Sequence, residues 1–267
     1  MRVMRHLVFA GLCAAIAAMA GRAGAAERVE TIPTRPGVTQ PLYIVEPDAK
    51  PWAVALLYVG GDGNMSLGAN GPTKELGNFL LRIANQLKGA GLLLVYPDVP
   101  SDMSTGLGNL RNGDKQVADA AATLGWIRQR TDAPVFVVGT SRGTVSAANI
   151  GAHLPPGSLA GVILTSSITR ASKQLGAVDD KALAEIRVPT LVVHHKDDAC
   201  NVTKPADIPQ FVESLRAAPR KDLVWISGGS PPKAGPCEGK AAHGYFGVER
   251  EATTAMLDWM KSVAARR

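Results

Sequence analysis

The sequence predicts an α/β domain in which a mostly parallel β-sheet carries helices on both of its faces. Apolar runs rich in β-branched residues recur along the chain, and they are continuous rather than alternating. Continuous runs are expected of strands that are buried on both faces of a sheet. Segments with apolar residues at helical spacing separate these runs, and this alternation favours right-handed crossovers between parallel strands.

The individual elements follow from these patterns in chain order. Residues 27–51 are rich in proline, so we expect irregular structure there with one short strand at 42–45. The run WAVALLYV at 52–59 is a buried strand, and 74–88 is a helix because Leu76, Leu80 and Ile83 recur at helical spacing. The later predicted strands cover 92–96, 135–138, 162–164, 190–193 and 223–226. The later predicted helices cover 114–130, 142–153, 179–186, 205–217 and 248–263.

The composition excludes several classes of protein. Hydrophobic residues make up 46% of the 267 positions and charged residues 19%, which is too apolar for a disordered chain. The 28 glycines have no three-residue period and the 18 prolines would interrupt long helices, so collagen and coiled coils are excluded.

Residues 1–26 have the features of a secretory signal peptide. Arg2 and Arg5 precede an apolar run at 7–20 that is too short to span a bilayer with margin, and small residues at 23–26 suit signal peptidase. An N-terminal membrane anchor is the alternative, and the short run disfavours it. We therefore expect a periplasmic or secreted protein whose single domain covers 27–267.

Removal of this segment changes the charge and the cysteine count. It takes away three arginines and no acidic residue, so the formal net charge falls from +6 to +3. The remaining chain has no basic run with interleaved aromatic residues, so nucleic acid is not indicated as a partner. Two cysteines remain, Cys200 and Cys237, and an even count in an oxidising compartment favours a disulfide over two buried thiols.

The strongest motif is Gly139-Thr140-Ser141-Arg142-Gly143, which follows the predicted strand at 135–138 and opens a predicted helix. A sharp strand-to-helix turn leaves no room for β-carbons at the two glycines and would expose the Ser141 hydroxyl. The Arg142 N–H would then lie at a helix N-terminus, where it can stabilise an oxyanion. The alternative is a plain glycine-rich turn with a capping serine.

A nucleophilic serine needs a base, and histidine is the usual one. Among the four histidines after residue 26, His243 lies in a loop between the last strand and the last helix, at the sheet edge where Ser141 would lie. His153 is interpreted as a helix-end residue. His194 and His195 end a strand and are interpreted as loop scaffolding rather than as the base.

The acid that orients the base should follow the strand at 190–193. Asp198 is favoured over Asp197 because a tight turn of about three residues is normal there before the carboxylate turns inward. A metal site is not indicated, because the adjacent pairs His194-His195 and Asp197-Asp198 do not have the spacing of zinc ligands.

The loop after the strand at 52–59 reads Gly60-Gly61-Asp62-Gly63. Glycines let backbone N–H groups approach a small anion, so we expect the second oxyanion donor at Gly61 or Asp62. The loop lacks the G-x-G-x-x-G spacing and the Lys–Ser/Thr pair of phosphate-binding loops, so phosphate is not the expected ligand.

The order Ser141, Asp198, His243, together with the turn at 139–143 and the Gly60-Gly61 loop, resembles the α/β-hydrolase family. The resemblance covers about residues 52–263. It implies a three-layer α/β sandwich, a Ser-Asp-His triad, no cofactor and hydrolysis of ester-like bonds.

Two departures from the family pattern matter. The oxyanion loop is Gly-Gly-Asp rather than the His-Gly-Gly-Gly of many lipases, which argues against a lipase. The segment at 165–188 is too short for a large cap domain, so we expect an open site. Such a site suits small-molecule or polymeric esters, and the sequence does not indicate an oligomeric state.

The expected function is therefore that of an exported serine hydrolase that cleaves carboxylic esters through an acyl-enzyme. Thioesterase or peptidase activity on the same triad, or a catalytically idle exported binding protein, are the alternatives. Cys200 follows Asp198 by two residues and Cys237 precedes His243 by six, so a Cys200–Cys237 disulfide would hold the acid loop against the base loop.

Overall fold

An eight-stranded sheet forms the centre of the protein in a computed structural model, which describes residues 27–103, 105–171 and 176–266. The expected signal peptide at 1–26 lies outside these residues. The strands of this sheet are β1 (Glu27–Arg35), β2 (Val38–Val45), β3 (Ala53–Tyr58), β6 (Leu92–Pro97), β7 (Val135–Thr140), β8 (Gly161–Thr165), β9 (Thr190–His195) and β10 (Lys221–Ile226). A separate small hairpin joins β4 (Leu67–Gly68) to β5 (Gly71–Pro72).

The main sheet is mostly parallel, as predicted. Its strand order is β1-β2-β6-β3-β7-β8-β9-β10. All pairs from β6 to β10 are parallel, while β1 with β2 and β2 with β6 are antiparallel. The carboxyl ends of the six parallel strands therefore lie at one edge, where sites of such sheets form.

The prediction of irregular structure over 27–51 was wrong, because a long β1–β2 hairpin occupies most of this segment. Its prolines sit where a missing N–H does little harm. Pro33 lies on the edge strand next to a register shift, and Pro41 precedes the residues Leu42 to Val45 that pair with β6.

Helices cover both faces of the sheet, which confirms the three-layer prediction. One face carries α3 (Asp114–Arg128), α4 (Gly143–His153), α5 (Asp180–Glu185) and α6 (Ile208–Glu213), and the other carries α1 (Phe79–Arg82), α2 (Ala84–Gly89) and α7 (Glu249–Ala264). Strand β7 divides between the two cores: Val135 and Val137 pack in the first, Phe136 and Val138 in the second. This alternation explains why the strand is apolar throughout.

Two predicted helices are shorter than expected. The helix predicted at 74–88 begins at Phe79, where the Asn78 side chain caps the Leu80 N–H, and it is interrupted at Ile83. Glu75 has a φ of 60°, so the chain before Asn78 turns instead of continuing as a helix. The helix predicted at 205–217 consists of a 3-10 turn (Pro205–Asp207) followed by α6.

Between β8 and β9 the described residues form α5 and no large cap. In the described ranges, no helix has both the length and the apolar character needed to cross a membrane.

Candidate active site

Ser141 lies in a tight turn between β7 and α4. Its φ of 51° is in the left-handed region, which non-glycine residues rarely adopt outside constrained turns. A Cβ on Gly139 would collide with the Gly143 carbonyl, and a Cβ on Gly143 would collide with the Tyr58 carbonyl. The sequence forms this turn because both flanking residues are glycine.

Neighbouring backbone holds the turn in place. The Ser141 N–H donates to the Thr165 carbonyl of β8 at 3.0 Å, and the Ser141 carbonyl accepts from the Thr144 hydroxyl at 2.6 Å. The loop after β3 approaches closely, because a Cβ at Gly60 would lie 3.1 Å from the Ser141 Cβ. The serine side chain, itself half-buried, thus lies between two glycine-rich loops.

His243 lies in a short 3-10 turn (Ala242–Gly244) between β10 and α7, and it is only 4% exposed. Its Nδ1 donates to Asp198 Oδ2 at 2.9 Å. Its Nε2 is buried and has no hydrogen-bond partner among the described residues. With the proton on Nδ1, Nε2 carries a free lone pair.

Asp198 is the carboxylate that meets His243, as the sequence analysis favoured, whereas the Asp197 side chain is 75% exposed. Asp198 Oδ1 accepts from the Cys200 N–H, and Oδ2 accepts from the Thr203 hydroxyl as well as from His243, each at 2.9 Å. Burial raises the pKa of Asp198, but the His243 hydrogen bond and charge outweigh burial, so the pKa lies below its usual value.

A second group of hydrogen bonds positions the backbone of the His243 loop. The Ser166 hydroxyl donates to the His243 carbonyl at 2.7 Å. The Tyr245 hydroxyl donates to the Val193 carbonyl at 2.8 Å and accepts from the Ser166 N–H at 3.0 Å. These bonds fix the loop to the ends of β8 and β9.

Arg82 of α1 also binds this loop. It donates to the carbonyls of Gly239 at 2.8 Å and Gly244 at 2.6 Å, and it forms an ion pair with Glu249 at 2.8 Å. The backbone of the loop is therefore bound by Arg82 as well as by Ser166 and Tyr245.

The Cys200–Cys237 disulfide is present, which confirms the pairing expected from the sequence. It joins the residue that donates its N–H to Asp198 to the loop that leads into His243.

Two cavities of about 330 and 420 Å³ meet at Ser141, and both are also lined by Gly61 and Cys237. The first is also lined by His243, Glu75 and Asn78. The second contains Asp62, Arg142 and Ile168. Ser141 and Gly61 thus line both cavities, His243 lines the first, and the other candidate oxyanion residues, Asp62 and Arg142, line the second.

The other histidines lie apart from this space. His153 ends α4 and its Nδ1 is 2.8 Å from the Asn149 carbonyl. His195 contacts the Gly228 carbonyl through Nε2 at 3.0 Å and accepts from the Asp197 N–H at 3.0 Å. Both side chains therefore form hydrogen bonds with main-chain groups.

His194 is fully buried behind Asp198. Its Nε2 donates to the Thr203 carbonyl at 2.9 Å and lies 3.7 Å from Asp198 Oδ2. Burial lowers the pKa of His194 to about 4, although the Asp198 charge opposes this shift. A neutral His194 thereby supports Thr203, a residue that no sequence motif marks.

No group of three or more His, Cys, Asp and Glu residues in the described part of the chain is arranged to hold a metal ion.

No protein-family model and no curated protein matches the sequence. Solved structures do match it. A soluble variant of monoglyceride lipase from Saccharomyces cerevisiae is 12% identical with a TM-score of 0.62, and the match covers 89% of this chain and 95% of that one. Est1E from Butyrivibrio proteoclasticus is 14% identical with a TM-score of 0.61, over 89% of this chain and 99% of that one.

A third match is a serine hydrolase without a lid from Xanthomonas campestris, 14% identical with a TM-score of 0.55, over 91% of this chain and 95% of that one. At these identities the likeness establishes the architecture. Together with the strand order and the turn at Ser141, it shows that the chain has the α/β-hydrolase fold.

Proposed function

We propose that the protein is a serine hydrolase that cleaves carboxylic ester bonds through an acyl-enzyme intermediate. The observation that carries this proposal is the environment of the two nitrogens of the His243 imidazole. Its Nδ1 is bound to Asp198, and its buried Nε2 has no hydrogen-bond partner in the described residues. His243 lines the same cavity as Ser141. A base for Ser141 needs an imidazole nitrogen that is free to accept the serine proton while a carboxylate orients the other side of the ring.

In the first half-reaction, the Ser141 hydroxyl attacks the ester carbonyl carbon while its proton passes to His243 Nε2. Asp198 holds the imidazole in the tautomer that can accept this proton and stabilises the resulting cation. Collapse of the tetrahedral intermediate breaks the bond to the alcohol, and His243 returns the proton to the departing alcohol oxygen.

In the second half-reaction, water attacks the acyl-serine. His243 takes one proton from the water and returns it to the Ser141 oxygen as the acid leaves. One ester and one water thus give one acid and one alcohol, with the enzyme unchanged.

The negative oxygen of both intermediates needs donors. The Arg142 N–H stands at the start of α4, and the loop at Gly61 and Asp62 borders the same space. One such donor contributes about 3 kcal/mol to the stabilisation of a transition state in related chemistry. Accessible esters fit the open cavities better than substrates that need an enclosing cap.

The test is Ser141→Ala with Ser230→Ala as a matched control, since Ser230 is an exposed serine outside both cavities. We expect wild type and Ser230→Ala to hydrolyse p-nitrophenyl acetate and butyrate and to react with a fluorophosphonate probe. Ser141→Ala should do neither. A well-folded wild type that resists the probe would contradict the proposal and favour an idle binding protein.

Export is part of the proposal, supported by the features of 1–26 and by the disulfide. Expression of the full chain in a Gram-negative host should yield a periplasmic or secreted product that begins at residue 26 or 27. Retention of residues 1–25 in the mature mass would contradict export by cleavage.

A further inference from the structure

Arg111 is a fully buried cation beneath the oxyanion loop. It lies in the 3-10 turn before α3 (Gly108–Asn112) and is only 1% exposed. Its Nη2 donates to the Val59 carbonyl at 3.2 Å, with a longer contact of 3.5 Å to the Gly61 carbonyl. Two peptide groups of the loop therefore face one guanidinium.

The carbonyls that face Arg111 determine where the N–H groups of the same peptides point. In a trans peptide, the N–H of the next residue points away from the carbonyl. Because the Gly61 carbonyl faces the Arg111 guanidinium, the Asp62 N–H points away from the guanidinium. Within the described residues, the Asp62 N–H donates to no acceptor. A hydrogen bond to a carbonyl also polarises the peptide and strengthens its N–H as a donor.

The guanidinium is itself held by the helix that follows Ser141. Arg111 Nη1 donates to Ser146 Oγ of α4 at 2.9 Å, and Ser146 Oγ donates to Gln116 Oε1 of α3 at 2.9 Å. Gly63 leaves the necessary space, because a Cβ there would lie 2.6 Å from Arg111 Nη2. Arg111 thus joins the loop after β3 to the helix that begins beside Ser141.

The charge of Arg111 is not cancelled by direct contact. In the ranges that the structure describes, no carboxylate lies within 4.0 Å of it. Burial and the charge of Arg142 lower the pKa of Arg111 to about 10, against the opposing charges of Asp62 and Glu75, so it is a cation at neutral pH. A buried cation without a contacting anion is costly, and it produces a positive potential across the loop.

We propose that Arg111 is a positioning residue for the oxyanion hole. It aligns the peptides after Val59 and Gly61 so that their N–H groups face the cavity at Ser141, and it adds positive potential where the oxyanion forms. This inference rests on the proposed function, because it assigns Arg111 a task in stabilising the tetrahedral intermediate.

The test compares Arg111→Met and Arg111→Lys with Arg128→Met. Arg128 is a matched control, since it also donates to backbone carbonyls, of Ala133 at 2.8 Å and Ser158 at 3.5 Å, but lies outside both cavities. The readouts are kcat, KM for p-nitrophenyl butyrate, Tm, and the Ki of an aryl trifluoromethyl ketone, which binds as a tetrahedral oxyanion.

We expect Arg111→Met to lower kcat about 10- to 100-fold with KM changed less than threefold, a part of the loss seen when one oxyanion donor is removed. The ketone Ki should rise by a similar factor. Arg111→Lys keeps the positive charge but lacks the several N–H donors of the planar guanidinium. It should therefore recover part of the loss in kcat and part of the loss in ketone affinity. Arg128→Met should lower Tm but leave kcat and Ki within twofold.

A folded Arg111→Met with kcat and Ki within twofold of wild type would overturn the inference. If that variant does not fold, Arg111→Lys decides: unchanged kcat and Ki would overturn it, and a parallel loss in both would support it. Wild-type hydrolysis that survives Ser141→Ala would instead overturn the proposed function, and the role of Arg111 with it.

Discussion

Thr203 donates its hydroxyl hydrogen to the same carboxylate oxygen of Asp198 that accepts from His243. Both distances to Asp198 Oδ2 are 2.9 Å, and Thr203 Oγ1 is 3.3 Å from His243 Nδ1. The Cys200 N–H binds the other oxygen, so the carboxylate is held against rotation. The hydroxyl thereby determines how the carboxylate faces the imidazole.

Replacement of Thr203 by valine keeps the shape and removes this donor. We expect kcat for p-nitrophenyl butyrate to fall about 10- to 100-fold, since loss of a hydrogen bond to a charged group costs roughly 1.5–3 kcal/mol. Thr203→Ser restores the hydroxyl and should restore most of the rate. An equal loss in both variants would mean that the methyl packing, and not the hydrogen bond, is what matters.

The two adjacent aspartates allow a matched comparison. Asp198→Asn should lower kcat about 10³- to 10⁴-fold, because an amide no longer stabilises the imidazolium or fixes its tautomer. Asp197→Asn makes the same replacement of a carboxylate by an amide in an exposed side chain, and it should leave kcat within twofold of wild type. Comparable losses in the two variants would contradict the assignment of Asp198.

The parallel part of the fold was predictable because its strands are buried on both faces and so are apolar along their whole length. The β1–β2 hairpin was not predictable, because prolines such as Pro33 and Pro41 disfavour a strand when only the local sequence is considered. Whether a proline is tolerated in a strand depends on which neighbour that strand has, and the sheet order decides this.

The motif and the loop order select Ser141 and His243 from the sequence, and both residues line the same cavity. The residues that hold the loops of the site in place cannot be selected from the sequence in this way. Ser166 binds a carbonyl 77 positions away and Arg111 one 52 positions away. Serine and arginine are common residue types, and only the folded contacts distinguish these two from the others.

Removal of the disulfide should reduce stability and activity together. For a loop closed over 37 positions, cross-linking stabilises by roughly 3–4 kcal/mol in the chain-entropy model. The double variant Cys200→Ala/Cys237→Ala should therefore melt about 10 °C below wild type in a calorimetric scan. Since Cys237 lines both cavities, kcat should fall as well. Unchanged Tm and kcat would show that the bridge does not hold the loops.

The turn at Ser141 can be tested with two glycines of opposite surroundings. A Cβ at Gly143 collides with the Tyr58 carbonyl, whereas the exposed Gly125 of α3 has no atom within 4 Å of its Cβ position. Gly143→Ala should destabilise by more than about 2 kcal/mol, and Gly125→Ala should stabilise by about 0.5–1 kcal/mol. Denaturant midpoints measure both, and a stable, active Gly143→Ala would contradict the close approach.

Buried His194 predicts how stability depends on pH. Burial lowers the pKa of His194 to about 4 in the folded state, against about 6.5 in the unfolded chain. Between these values the unfolded state binds the extra proton, so folding stability falls as pH decreases from 6.5 towards 4, by at most about 1.4 kcal/mol per pH unit. Above pH 7 this contribution is fully present. His194→Gln keeps a donor for the Thr203 carbonyl but does not titrate, so its urea midpoint should change less over this range. Equal slopes for the variant and wild type would mean that His194 takes up its proton without opposing the fold.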